Sequence, residues 1–176
     1  MTTPERLAGV GLGALAGGGV SALTFDEVDA RAGVSPGTAA ATFADYRALV
    51  QAVVDRIVAH DAGLWTSLGP LAAPESVDEL AQRFGEYVRL QVATGAEVVR
   101  ARLELTLAHP ELTATGHVSL IEMMTVMLDR LDVPEPRLRA ELLVALVDGV
   151  IIHSVTFGRD PQPTEALERA IRRVVG

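Results

Sequence analysis

The chain has 176 residues, 49% of them apolar and 22% charged. That balance is too hydrophobic for a disordered tail and too charged for a membrane bundle, and it suits one compact domain or a small domain joined to a larger one. Cysteine is absent, which excludes disulfides, thiolate metal sites and a cysteine nucleophile, while a net charge of −8, with all 15 basic residues arginine, opposes bulk nucleic-acid binding.

Any DNA contact must therefore be local, and the reducing cytoplasm is the expected compartment. No run of about 18 uncharged apolar residues appears, which argues against a membrane-spanning helix. Arg6, the small and apolar stretch Leu7 to Ala16, and Val20-Ser21-Ala22 imitate a secretory signal. Glu5 offsets the arginine, however, and Gly9, Gly11 and Gly13 dilute the apolar core, so the segment is better read as a first helix.

Apolar residues recur at helical spacing and no Asn-Gly or Asp-Gly turn joins alternating strands, so the chain is expected to be all-α with about nine helices. Leu7, Val10, Ala14 and Leu15 form one face of the first helix, which ends at Gly17-Gly18-Gly19. Three interior glycines weaken it by about 1 kcal/mol each relative to alanine, so it depends on packing. Thr24-Phe25-Asp26-Glu27 reads as a capping box, with the Thr24 hydroxyl on the third helical amide and Glu27 reaching back to the cap amide. The second helix runs to about Ala32 and Gly33 ends it. Ser35 then caps a third helix with Pro36 at its first position. So short a connection forces a steep crossing that buries Val28, Ala32, Val34 and Phe43, the geometry of a helix-turn-helix.

A fourth helix is expected from Asp45 to about His60, followed by a connection from Gly63 to Pro74 punctuated by Gly69 and Pro70. Ser76-Val77-Asp78-Glu79 is a second capping box, opening a helix to about Ala93. Gly95 separates it from one that ends near His109-Pro110. Further helices run from Glu111 to about Leu131, from Leu138 to Phe157, and from Thr164 or Pro163 to Val174.

The stretch Leu23-Thr24-Phe25-Asp26-Glu27-Val28-Asp29-Ala30-Arg31-Ala32-Gly33-Val34-Ser35-Pro36-Gly37-Thr38, followed by Phe43 and Leu49, resembles the N-terminal domain of TetR-family transcriptional regulators. The resemblance spans about Arg6 to Ile57. Arg100 to Leu105, Pro110-Glu111-Leu112 and Ala145 to Val150 are similar in layout to the family's C-terminal domain. The resemblance implies a DNA-binding head at residues 1–46 and a ligand-binding and dimerisation domain at 47–176. It further implies a homodimer whose last two long helices form an intersubunit four-helix bundle, and a small-molecule effector that releases the operator. Independently, Leu142 to Phe157 is apolar on nearly every face, too much for a helix with one side in water.

The chain departs from the family pattern where Ala39-Ala40-Ala41-Thr42 replaces a tyrosine and basic residues, and where Tyr46 replaces a lysine. Reading guanine needs arginine or lysine and reading adenine needs asparagine or glutamine; none occurs from Ser35 to Thr42, and Ala40 offers only methyl contact to thymine. The candidate DNA contacts are Thr24, Ser35, Pro36, Gly37, Thr38, Ala40, Thr42, Tyr46 and Arg47, several of them to phosphate. Residues 1–58 carry four arginines against six acids, a net charge of −2. Two readings follow: a regulator with few base contacts that relies on half-site spacing and DNA shape, or a TetR-fold protein that keeps ligand or partner binding without an operator.

Candidate ligand contacts are Trp65, Phe84, Tyr87, Met123 and Met127, since thioethers and rings fill irregular apolar pockets. His153 joins them, although a buried, hydrogen-bonded structural role is the plainer account of it. With only seven aromatics in the chain, the effector is expected to be aliphatic or mixed rather than broadly aromatic. Glu104 and Glu122 are expected to be solvated, and His109 to interact with a helix end. No His-x-x-x-His or Glu-x-x-His pair, Gly-x-Ser-x-Gly elbow or phosphate loop occurs, so no metal, cofactor or enzymatic activity is expected.

Overall fold

The structure is a computed structural model that describes residues 3–68, 74–158 and 164–176. Gly69 and Pro70 of the expected connection, and Pro163, lie outside the described residues. Among those described there is no strand. The elements are α1 (Thr3–Gly18), a 3-10 turn (Val20–Ala22), α2 (Phe25–Ala32), α3 (Thr38–Thr42), α4 (Tyr46–Ser67), α5 (Val77–Thr94), α6 (Ala96–Ala108), α7 (Pro110–Arg130), α8 (Pro136–Phe157) and α9 (Thr164–Val175). The chain forms two compact units. One comprises Met1–Ala62 with Glu97–Ala114, the other Gly63–Ala96 with Thr115–Gly176.

In the first unit α1, α2 and α3 pack on one another. Leu7, Leu15, Leu23, Val28 and Leu49 are fully enclosed, and Val98, Ala101 and Leu105 of α6 belong to the same core. The packing that the glycine-rich α1 requires is visible at Gly11, where an added Cβ would lie 3.1 Å from Leu23 Cδ1 and 3.2 Å from Val53 Cγ2. The missing side chain lets α1 approach α4 closely. Asp61 of α4 accepts from the Arg102 guanidinium of α6 at 2.6 and 2.7 Å.

Helix boundaries follow the local chemistry with three differences. Thr24 Oγ1 accepts from the Glu27 amide at 3.2 Å, as a cap should. The reciprocal half of that box does not form, because Glu27 pairs with Arg31 and the Thr24 amide donates to Ala22 O. Second, α4 continues to Ser67, into the first residues of the segment expected to be a connection, since one interior glycine at Gly63 costs only about 1 kcal/mol and does not end a helix by itself. Third, α3 begins at Thr38 rather than after a Ser35 cap.

The second unit packs α5, α8 and α9 together. α9 is strongly amphipathic: Leu167, Ile171 and Val175 are buried, while Glu165, Arg169 and Arg173 face outward. Arg172 ties it to Asp78 in the first turn of α5, and Arg139 of α8 donates to Val174 O at 2.6 Å. At α5 Ser76 Oγ accepts from the Glu79 amide at 3.1 Å as a cap should, while the Glu79 carboxylate accepts at 2.8 Å from the amide of Glu75, one residue before the cap, rather than from the cap amide itself.

α7 and α8, of 21 and 22 residues, are the last two long helices. α8 buries Ala140, Leu143, Val144, Val147, Ile151 and Val155. Its outward residues Leu138, Leu142, Ala145, Gly149, Ile152 and Thr156 follow alternating spacings of four and three, the period of a coiled-coil seam. α8 is also long and apolar enough on average to cross a membrane, the single such helix among the described residues. It is nonetheless no uncharged run, because Arg137, Arg139, Glu141 and Asp148 interrupt it.

Candidate functional site

The turn between α2 and α3 is held by an acid that the sequence pattern does not single out. Gly33, at φ 63°, ends α2 in the left-handed conformation, and the Val34 amide returns to Asp29 O at 3.1 Å. Asp29 is 3% exposed. Its Oδ2 accepts from the Gly37 amide at 2.7 Å and its Oδ1 from the Ala39 amide at 2.8 Å. Asp29 therefore caps α3 from eight and ten residues upstream, where Ser35 was expected to do so. Gly37 occupies the cap position at φ 86°, a conformation that disfavours any residue with a Cβ, and Pro36 lies in the turn outside the helix. The signal that could have found Asp29 is an acid on the otherwise apolar inner face of α2, one residue after Val28.

α3 presents Ala40 and Ala41 to solvent and buries Ala39, while Thr42 is half-buried and Thr38 is partly covered. Both threonine hydroxyls donate inward, Thr38 Oγ1 to Ser35 O at 2.6 Å and Thr42 Oγ1 to Thr38 O at 2.7 Å. Thr24, Ser35, Pro36 and Gly37 are exposed on the approach to the turn. At the start of α4, Asp45 Oδ1 accepts from the Ala48 amide at 2.8 Å and so fixes the helix that carries Tyr46 and Arg47. Arg47 is exposed. Tyr46 packs at 6.1 Å from the His109 ring, and partial burial raises its phenol above the ordinary value, so it stays a proton donor at neutral pH. Tyr46, Arg47, Val50, His109, Glu111 and Leu112 line an open cleft. His109 sits between α6 and α7, its amide donating to Leu105 O at 2.7 Å and its ring 3.7 Å from the Glu111 carboxylate.

Of the six residues singled out for a ligand, the structure brings three together. Trp65 stacks on Tyr87 with ring centroids 4.6 Å apart and meets Phe84 edge-on at 5.1 Å. Gln91 Nε2 donates to the Tyr87 hydroxyl at 2.8 Å, and this amide was not anticipated from the sequence. Polar and fully buried four residues after a tyrosine on one helix, it marks that face of α5 as enclosed. On α7, Met123 is exposed, Met127 one turn later is half-buried, and the enclosed methionine is Met124, at i+3 from the buried Ile121. His153 is exposed, with its ring 4.8 Å from that of Phe157, so the buried structural role expected for it is not seen. Among the described residues no group of three His, Asp or Glu side chains could hold a metal ion.

A family model described as the tetracyclin repressor-like C-terminal domain matches residues 75–176. The chain belongs to the TetR family. Solved structures with the same fold include a transcriptional regulator from Rhodococcus sp. RHA1, 22% identical over 99% of this chain and 95% of that one, with a TM-score of 0.77. A TetR-family member from Streptomyces coelicolor A3 is 21% identical over 99% of both chains, with a TM-score of 0.79. The multidrug binding protein EbrR, complexed with imidazole, is 21% identical over 100% of this chain and 94% of that one, with a TM-score of 0.71. No curated protein matches the sequence. The match to the TetR C-terminal domain takes in α5 to α9, and the turn held by Asp29 lies N-terminal to it.

Proposed function

We propose that this TetR-family protein is a ligand-responsive transcriptional repressor that binds operator DNA as a homodimer and is released by a small apolar molecule. Residues 1–46 form the DNA-binding head and residues 47–176 the ligand and dimer domain. The observation that carries the reading is the Asp29-held turn, which fixes a short exposed α3 ahead of the exposed Arg47. Thr24, Ser35, Tyr46 and Arg47 supply phosphate donors, Pro36 and Gly37 shape the approach, and Thr38, Ala40 and Thr42 lie along the groove-facing helix. The protein acts in the cytoplasm by occupying DNA and carries out no catalysis.

The ligand reading rests on Trp65, Phe84 and Tyr87, an aromatic group with one buried amide beside it, and on the fold shared with a multidrug binding protein solved with imidazole and with proflavin. Met123, Met127 and His153 are secondary candidates. The dimer reading rests on the exposed seam of α8 together with Val118, Met123 and Val126 on α7. The second reading, a ligand or partner binding protein without operator affinity, is favoured by one observation, the net charge of −2 on residues 1–58.

Fluorescence anisotropy with the protein's own upstream intergenic DNA, beside a scrambled duplex and across a salt series, separates the two. Preference for the upstream fragment at physiological salt is the expected result. Equal binding to both duplexes that vanishes with salt overturns the regulator reading.

A further inference from the structure

The exposed face of α3 is chemically narrow. Ala40 and Ala41 are its exposed side chains, and the hydroxyl hydrogens of Thr38 and Thr42 are held by the carbonyls of Ser35 and Thr38 at 2.6 and 2.7 Å. Asp29 takes the Gly37 and Ala39 amides, so the backbone donors at the start of α3 are also engaged. α3 thus offers no side-chain donor for guanine O6 or N7 and no amide for adenine; what it presents outward is methyl groups. The groups able to bond phosphate, the Ser35 and Tyr46 hydroxyls and the Arg47 guanidinium, lie before and after it in the chain. An apolar surface of this kind distinguishes bases in the major groove at one point only, the C5-methyl group of thymine.

We infer that α3 selects its half-site by packing the Ala40 and Ala41 methyls against thymine methyls, so that the sequence-specific ligand of this head is thymine-bearing duplex DNA and its specificity disappears when those methyls are removed. The inference rests on the regulator reading above. Phosphate contacts set position and most of the affinity, while the methyl contacts set which sequence is preferred.

The test uses the full-length protein and its upstream intergenic fragment, amplified once with dTTP and once with dUTP, because uracil keeps the pairing edge and both acceptors of thymine and lacks only the methyl. Anisotropy should show weaker binding to the uracil duplex by about fourfold for each packed thymine methyl that is removed. In the double variant Ala40→Ser, Ala41→Ser, the ratio of the two affinities should fall toward one, with melting temperature checked to confirm that the head is folded. Equal binding of thymine and uracil duplexes, with preference over a scrambled fragment retained, overturns the methyl inference and leaves the regulator reading standing. A uracil effect of the same size in the serine variant overturns it as well, since the methyls would then act through DNA shape. Absence of preference for the thymine fragment itself overturns both readings.

Discussion

Asp29 on α2 accepts the amide hydrogen of Ala39 on α3 at 2.8 Å, and this bond joins the two helices of the turn through a carboxylate that solvent barely reaches. A five-residue helix has too few internal hydrogen bonds to persist alone. Its start is held by the two amides that Asp29 receives, and its position by the burial of Ala39 and Phe43. The shape of the head therefore depends on an acid turned away from the surface that would meet DNA.

Replacing Asp29 by alanine leaves the Gly37 and Ala39 amides without their acceptor, and hydrogen bonds to a charged partner are worth about 1.5–3 kcal/mol each in such settings. Asp29→Ala is expected to destabilise the head by about 3 kcal/mol or more in total, whereas Ser35→Ala, whose side chain caps nothing, should change stability by less than about 0.5 kcal/mol. Urea denaturation of the two variants, with amide exchange at Ala39 as the local probe, checks the contrast. Equal destabilisation in the two would return the cap to Ser35.

Arg47 is the exposed cation nearest α3 in the chain, and a single phosphate contact contributes about one unit to the salt dependence of DNA binding. Arg47→Ala is expected to weaken binding to all duplexes alike and to flatten the slope of log affinity against log salt by about one for each protomer bound. An unchanged slope, measured by anisotropy across a salt series, would remove Arg47 from the interface.

Part of the punctuation of this fold is legible residue by residue. Gly33 takes the left-handed conformation that ends α2, and Thr24 and Ser76 cap as their spacing predicts. What escaped local reading depended on tertiary contacts. Asp29 caps α3 only because the turn folds back on α2, and α4 runs past Gly63 to carry Trp65 onto Phe84 and Tyr87. α7 sets Met123 and Met124 side by side and α8 is apolar on nearly every face, so periodicity could not say that Met124 points inward while Met123 and His153 point out.

Gly85 marks the close approach of α5 to α9. A Cβ there would lie 2.6 Å from Thr164 Cγ2 and 3.3 Å from Glu168 Cγ, well inside van der Waals contact. Alanine is the better helix former by about 1 kcal/mol, but overpacking costs about 1–3 kcal/mol. Gly85→Ala should therefore lower the stability of the second unit by about 1 kcal/mol net. A thermal melt showing stabilisation would mean that the two helices separate easily.

The Glu79 carboxylate is held below the ordinary carboxylate range, first by the Glu75 amide and then by Arg83. A depressed folded-state value means that its contribution is complete above the unfolded value, near 4.5, and is lost as pH falls through the lower folded one. Glu79→Gln should thus melt at a lower temperature than the parent at pH 7, and the difference should close below about pH 4. A difference that persists undiminished at about pH 3 would assign the effect to packing rather than charge.

Gly149 sits in the middle of the outward α8 seam, one turn after Ala145, and a Cβ added there meets open space within its own chain. Within one protomer Gly149→Leu is therefore free of clashes at Cβ and improves helix propensity by up to about 1 kcal/mol. If two copies of α8 cross where the seam is smallest, the same substitution fills the space the partner helix needs and drives the protein to monomer. Light scattering after gel filtration should show the parent at twice the chain mass and the variant at the chain mass, with a far-UV spectrum unchanged between them. A variant that stays dimeric would move the interface away from α8, and a monomeric parent would remove the dimer on which operator binding at paired half-sites depends.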